Sequence, residues 1–343
     1  MRIFLRILVM CLLAMPVLAA RARLNLFIWS EYMDPVVVKA FEQQHDCEVV
    51  IDLYEDDGAM MAKLQAGGAA LYDVVVPPDH RVPVLVKLGL LAPLRHEKLP
   101  NLRHLDPRLL NLAFDAENRY TVPYQWGTLG LFVRKRAGQP VPDSWAAVFD
   151  PRQQAGPFVL LDSARDLIGA ALKYRGREAN ATDPAELRAV RDLLLDAKRR
   201  SLGFDGTVGG KNKVLGRLAT AAVVYSGEGV RGMTADPETV YVIPKEGSLI
   251  WVDNLAVLSR APHRDLAEQF INFCLEPENG ARIANFTQFA TPNAAARRFI
   301  RPADLANPAI YPPEEVRARL EFLVHLGAQS RLYDEVWTYV KAR

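Results

Sequence analysis

The sequence is poor in the signatures that mark most enzymes and metal proteins. Its six histidines, His45, His80, His96, His104, His263 and His325, are scattered, and none stands in an H-E-x-x-H pair. Its three cysteines, Cys11, Cys47 and Cys274, form no C-x-x-C, so neither a zinc knuckle nor a thioredoxin-type site is supported. A hydrolase elbow needs G-x-S-x-G, but Val224 stands where the first glycine would precede Tyr225-Ser226-Gly227. A phosphate loop needs G-x-x-x-x-G-K-[ST]. Around Gly209-Gly210-Lys211 the outer positions are Asp205 and Asn212, and the motif fails twice. No adjacent tyrosines suggest an iron clamp. These absences favour binding over catalysis, and no cofactor or metal is expected.

Net charge is also lacking. The formal charge is +2, and removing Arg2 and Arg6 with an N-terminal leader would leave none. A balanced chain projects no field towards nucleic acid or anionic lipid. Long apolar runs are missing too. The run Ile7 to Met15 follows the basic Met1–Arg6 stretch and precedes small residues at Val17-Leu18-Ala19-Ala20. It is short for a bilayer span, and the order basic, apolar, small reads as a cleaved secretory signal peptide over 1–20. With Cys11 in that leader, Cys47 and Cys274 read as buried free thiols, with a disulfide the alternative that an exported compartment permits.

What is present is an alternating pattern. Leu24 to Trp29, Glu48 to Leu53 and Tyr72 to Pro77 read as strands. Helices follow near Pro35 to Glu42, Asp57 to Leu64 and Val82 to Lys87. Asp34 is a natural N-cap before Pro35, and Gly67-Gly68 and Gly89 are stops. Such an order implies a parallel sheet flanked by helices, with ligands beyond the carboxyl ends of the strands, where Trp29-Ser30-Glu31-Tyr32 and Pro77-Pro78-Asp79-His80 lie. Further strands are expected at Gly130–Val133, Phe158–Leu161, Ala221–Val224, Val240–Ile243, Ile250–Asp253 and Leu255–Leu258. Further helices are expected at Asp162–Tyr174, Asp183–Arg199 and Asp265–Leu275. Gly206 to Gly210 reads as a loop, and Pro313 to Lys341 as helical in pieces. At roughly 150 residues per domain, 343 residues suggest two α/β units.

From Phe27-Ile28-Trp29-Ser30-Glu31-Tyr32 onward the chain resembles the periplasmic spermidine/putrescine-binding proteins of ABC transporters, within the bacterial extracellular solute-binding proteins. The likeness runs through Tyr54-Glu55, Tyr72-Asp73-Val74-Val75-Val76-Pro77 and Pro123-Tyr124-Gln125-Trp126-Gly127-Thr128. It continues at Ile243-Pro244-Lys245-Glu246-Gly247, Trp251-Val252-Asp253, Thr291-Pro292-Asn293 and Ile310-Tyr311-Pro312-Pro313, covering essentially the whole mature chain. The resemblance implies a two-lobed type II periplasmic-binding-protein fold of class α/β, each lobe a mainly parallel sheet with hinge crossings between. One lobe would comprise 24–127 and 252–297, the other 128–251 and 298–343. It further implies a periplasmic monomer that binds a small polycation, no nucleic acid, and hands its ligand to a membrane permease.

The matching ligand positions are Trp29, Ser30, Tyr32, Asp166, Tyr225, Glu228, Trp251 and Asp253, with His80 in a segment that departs from the family. Aromatic faces can hold methylenes and ammonium groups, and carboxylates offset the desolvation of each charge. A site of that kind is expected to lack lysine and arginine. Trp251 and Asp253, two apart on an extended segment, would point the same way. Core packing is the alternative for Trp29, and a helix-dipole acid for Asp166. Where the family often has Ser-x-Tyr, this chain has Pro78-Asp79-His80. Ser163 replaces an acid of the spermidine binders, and Leu323 a polar amide. With Glu228 kept, a short diamine such as putrescine fits better than spermidine. Another cationic amine, an opine-like solute, a sensor role and an exported hydrolase are the alternatives.

Overall fold

The computed structural model describes residues 21–154 and 156–343; the leader expected over 1–20, with Cys11, lies outside the described residues. The first unit follows the sequence closely. Strand β1 (Ala22–Trp29) pairs in parallel with β2 (Cys47–Tyr54) and β3 (Val74–Val75). Alternation along β1 divides its side chains. Leu24, Leu26 and Ile28 join Val37, Phe41 and Phe270 on one face, while Phe27 joins Met60, Leu64 and Val82 on the other. Each such side chain taken from water contributes about 1.5–3 kcal/mol. The helix Pro35–His45 starts as its residues dictate: the Asp34 carboxylate accepts the Val36 N–H, and Pro35 needs no partner there.

Two long strands then carry the chain between two lobes. Strand β4 (Thr121–Arg134) is buried for thirteen residues and only half-buried at Arg134. It is far longer than the Gly130–Val133 segment expected, because its flanking residues Thr121 to Leu129 pack against neighbours on both faces. Pro123, which cannot donate to a ladder, sits at a register shift against the neighbouring strand. Beyond β4, strands β5 (Phe158–Leu161), β6 (Phe204–Asp205), β7 (Ala221–Tyr225) and β8 (Thr239–Val242) build the second lobe. Strand β9 (Ser248–Val257) fuses the two short strands expected there and runs antiparallel to β4 from Thr121–Ala256 to Thr128–Ile250. The sheet order is β2-β1-β3-β9-β4-β7-β5-β6. Parallel pairing holds within each lobe, at β1 with β2 and β3 and at β5 with β6 and β7, and the antiparallel pairs belong to β4 and β9.

The second lobe has its own core, centred on Trp145, Phe149, Leu167, Leu194 and Tyr333. Tyr333 comes from the last helix, Ser330–Ala342, and the short strand β10 (Leu320–Phe322) pairs with β9. The C-terminal stretch is thus helical in pieces, as expected, with β10 between its helices Glu314–Arg317 and Ser330–Ala342. The loop expected at Gly206–Gly210 is corrected. Thr207–Leu215 is a helix despite two glycines, which disfavour helix by about 1 kcal/mol each. Packing wins: a Cβ on Gly210 would lie 3.3 Å from the Ala222 side chain, and the bare backbone lets the helix settle on β7. Cys47 and Cys274 are both free and buried.

Candidate functional site

The segments at the strand ends converge where β4 and β9 pass between the lobes. After Trp29 the chain turns sharply. Glu31 adopts φ 53°, which reverses the backbone and sends Tyr32 inward while Ser30 stays half-buried in the turn. The Tyr32 hydroxyl donates to Oδ2 of Asp253 on β9 at 2.7 Å. Tyr32 also meets Tyr124 and Phe289 edge-on, with centroids 5.7 and 5.5 Å apart. Trp29 packs on Tyr54 at 4.5 Å.

Asp253 is 6 % exposed, and burial, opposed by the Tyr32 hydrogen bond and reinforced by Asp79, pushes its carboxyl up to about 8. The turn Asp79–Arg81 follows β3 and packs on β9. Asp79 accepts the backbone N–H of Val252 at 3.1 Å. His80 reaches the other way, 2.9 Å from Asp57, which also accepts from Arg81 at 2.6 Å. Burial works against an imidazolium at His80, but Asp57 and Asp79 overcome it and raise the ring to about 9. Asp57 stays well below the usual carboxylate range, because His80 and Arg81 outweigh its burial. The His80 charge bears on both Asp253 and Asp166, easing their ionisation.

From the second lobe come Asp166, Tyr225 and Glu228. Asp166 lies in the first turn of the helix Ala164–Tyr174, a favourable place for an acid. Burial raises its carboxyl, while Ser163 at 2.6 Å and the Tyr225 hydroxyl at 3.0 Å stabilise the anion. Ser163 thus spends its hydroxyl on Asp166 and not on capping the helix. Tyr225 ends β7 and meets Trp251 edge-on at 5.7 Å, and Trp251 meets Phe289 at 5.0 Å. Burial beside carboxylates keeps the phenols of Tyr32 and Tyr225 protonated, so both remain donors.

Glu228 sits in the first turn of the helix Ser226–Ala235, 3 % exposed. Lys211 donates to its Oε2 at 2.8 Å, and Arg231 pairs with its Oε1. Arg231 also lies 3.6 Å from Glu31, donates to the Thr287 carbonyl and stands over the Phe289 ring. Acids without lysine or arginine, as the sequence suggested, are therefore not what the fold assembles. A buried carboxylate is costly without a counter-ion, and Glu228 and Asp57 take theirs from the protein.

Of the nine residues singled out from the sequence, seven form a connected cluster: Tyr32, His80, Asp166, Tyr225, Glu228, Trp251 and Asp253. Tyr225 links Asp166 to Trp251. Phe289 links Trp251 to Tyr32 and Arg231, and Arg231 leads to Glu228. Trp29 and Ser30 border it through Tyr54 and the Glu31 turn. Sequence reading assigned no role to Asp57, Asp79, Arg81, Lys211, Arg231 and Phe289. Two of them carried a local signal: Asp79 in the strand-end segment Pro77-Pro78-Asp79-His80, and Lys211 in the Gly-Gly-Lys run set aside as a failed phosphate loop.

The family model described as bacterial extracellular solute-binding protein matches residues 37–312. A putrescine/cadaverine-binding protein of Pseudomonas aeruginosa is 34 % identical over 338 residues, covering 94 % of this chain and 95 % of that protein. The spermidine/putrescine-binding periplasmic protein of Escherichia coli is 31 % identical, covering 93 % and 91 %. Among solved structures, the spermidine/putrescine ABC transporter substrate-binding protein of Streptococcus pneumoniae superposes with a TM-score of 0.79 at 27 % identity, covering 93 % of this chain and 99 % of that one. The Tp0655 lipoprotein of Treponema pallidum superposes with a TM-score of 0.83 at 28 % identity, covering 94 % and all of that chain. The fold is the two-lobed type II α/β architecture that the resemblance implied.

Proposed function

The chain belongs to the bacterial extracellular solute-binding protein family, and from that premise we propose that it captures a short organic diamine in the periplasm and delivers it to the permease of an ABC transporter. One observation carries the choice of ligand. The cluster contains the carboxylates of Glu31, Asp57, Asp79, Asp166, Glu228 and Asp253. Among the described residues, Glu31, Asp57, Asp79 and Glu228 each have a side-chain cation within 4 Å. Asp166 and Asp253 have none, and each instead accepts a tyrosine hydroxyl. Two carboxylates without a protein cation suit a ligand bearing two ammonium groups, because each ammonium can recover in charge-assisted hydrogen bonds what it loses in hydration.

In this reading Asp166 and Asp253 receive the two ammonium ends. Trp251, Tyr225 and Trp29 flank the methylene chain with their rings, and Ser30 and Tyr32 close the first-lobe side. His80 works from behind, easing the ionisation of both acids. The lobes, 24–127 with 252–297 and 128–251 with 298–343, close by bending at the strand crossing near Thr128 and Asp253. Closure excludes water and strengthens each charge pair. The ligand is released intact, the protein acts as a monomer, and residues 1–20 are removed on export.

The test is calorimetric titration of the purified mature chain with putrescine, cadaverine, agmatine, spermidine and spermine. Saturable one-to-one binding of a diamine, tighter than that of spermidine, is expected. Failure of every amine to bind would overturn the proposal.

A further inference from the structure

Glu228 is a third acid of the cluster, and its seat is already taken. Its carboxylate is almost wholly enclosed, with Lys211 on one oxygen and Arg231 on the other. Lys211 is itself well covered, its side chain 12 % exposed. Its position is built from below. The helix Thr207–Leu215 sits low on β7 because Gly210 offers no side chain to Ala222 and Val224, and the next residue is then aimed at Glu228. Arg231 is fixed separately, by the Thr287 carbonyl and by Glu31 across the lobe boundary. The two cations crowd one another. Burial and the nearby Arg231 both press the Lys211 ammonium towards losing its proton.

We infer that Lys211 is a specificity-determining residue: its ammonium fills the third cation seat of the cluster, at Glu228, and thereby restricts the ligand to dications. The inference rests on the diamine reading above. A triamine could place two ammonium groups at Asp166 and Asp253, but its third would meet Lys211 and Arg231 instead of a free acid. Like charges brought together in a water-poor site reject a wrong partner strongly. Arg231 is the poorer candidate for this role, because it also ties the two lobes together. Lys211 makes no polar side-chain contact among the described residues other than Glu228.

The experiment is calorimetric titration of putrescine and spermidine into the wild type, Lys211→Met, Lys211→Gln and the double variant Lys211→Met/Glu228→Gln, each checked for folding by circular dichroism. The neutral single variants should improve spermidine relative to putrescine by about tenfold or more, the scale of one charge-assisted hydrogen bond. The double variant, which loses the seat along with its occupant, should return to the wild-type ratio. An unchanged ratio in a folded neutral variant that still binds putrescine overturns the Lys211 assignment and leaves the diamine reading standing. A gain that persists in the double variant overturns it equally. A wild type that binds no amine overturns both readings.

Discussion

The Tyr32 hydroxyl and the Asp253 carboxylate, 221 positions apart in the chain, meet at 2.7 Å inside the protein. That hydrogen bond joins the turn after β1 to the strand that crosses between the lobes. It holds Asp253 in place in surroundings that otherwise disfavour its charge. Asp253→Asn keeps the shape and removes the charge. Amine affinity should fall at least about tenfold, matching the roughly 1.5–3 kcal/mol of a hydrogen bond to a charged group. Tyr32→Phe should cost less, about 0.5–1.5 kcal/mol. Calorimetry on both variants decides, and an unaltered affinity in Asp253→Asn would remove that residue from the site.

If Asp253 receives an ammonium end as proposed, its raised carboxyl makes binding a proton-coupled event. With a folded value of about 8 against an ordinary 3.8, the ligand-free protein holds a proton that the unfolded chain has released. Its contribution to stability is therefore full below about pH 4 and is lost as pH rises towards 8. An ammonium ligand requires the ionised form and expels that proton. At about pH 7 the binding enthalpy should follow the ionisation enthalpy of the buffer with a slope approaching one proton released, and the slope should vanish above about pH 9. A slope of zero at neutral pH would show that Asp253 is already ionised in the free protein.

His80 gives a second pH signature with a different window. Its ring is raised from 6.5 to about 9 by Asp57 and Asp79 against the pull of burial. The stabilisation is complete below about pH 6.5 and lost as pH climbs through 9. The unfolding free energy of His80→Gln, read from denaturant titration, should thus lie furthest below the wild type near pH 6, by on the order of 3 kcal/mol, and approach it near pH 10. A difference that is constant across the range would mean that the ring acts by packing alone.

Gly227 touches Phe289 where the second lobe meets the first. A Cβ there would lie 2.6 Å from the Phe289 ring. Gly227→Val should penalise the closed arrangement by about 1–3 kcal/mol, the cost of overpacking. In an open form the clash disappears. The expected result is roughly tenfold weaker diamine binding with little change in the melting temperature of the ligand-free protein. Equal losses in both would place the strain within a single lobe.

The first lobe was legible because its periodicities are local: the alternation in β1, the Asp34–Pro35 start and the glycine stops each act within a few residues. The helix Thr207–Leu215 was not, since its stability comes from Gly210 settling on β7 and not from its own propensities. The same division runs through the site. Trp29 and Tyr32 were visible at a strand end, and Trp251 and Asp253 through the family resemblance and their spacing of two on an extended segment. Lys211 and Arg231 were hidden because their meaning lies in Glu228, and Asp57 and Arg81 because theirs lies in His80. Pairings of this kind depend on which helix face meets which strand end, and no short window of sequence encodes that.

Strands β4 and β9 remain laddered together as they leave one lobe and enter the other. A ribbon so stitched favours bending over shear, so the proposed closure is a swing and not a slide of one half past the other. Under that closure occupancy would be written into one angle, and a pair of dyes on opposite halves would report it as a single distance.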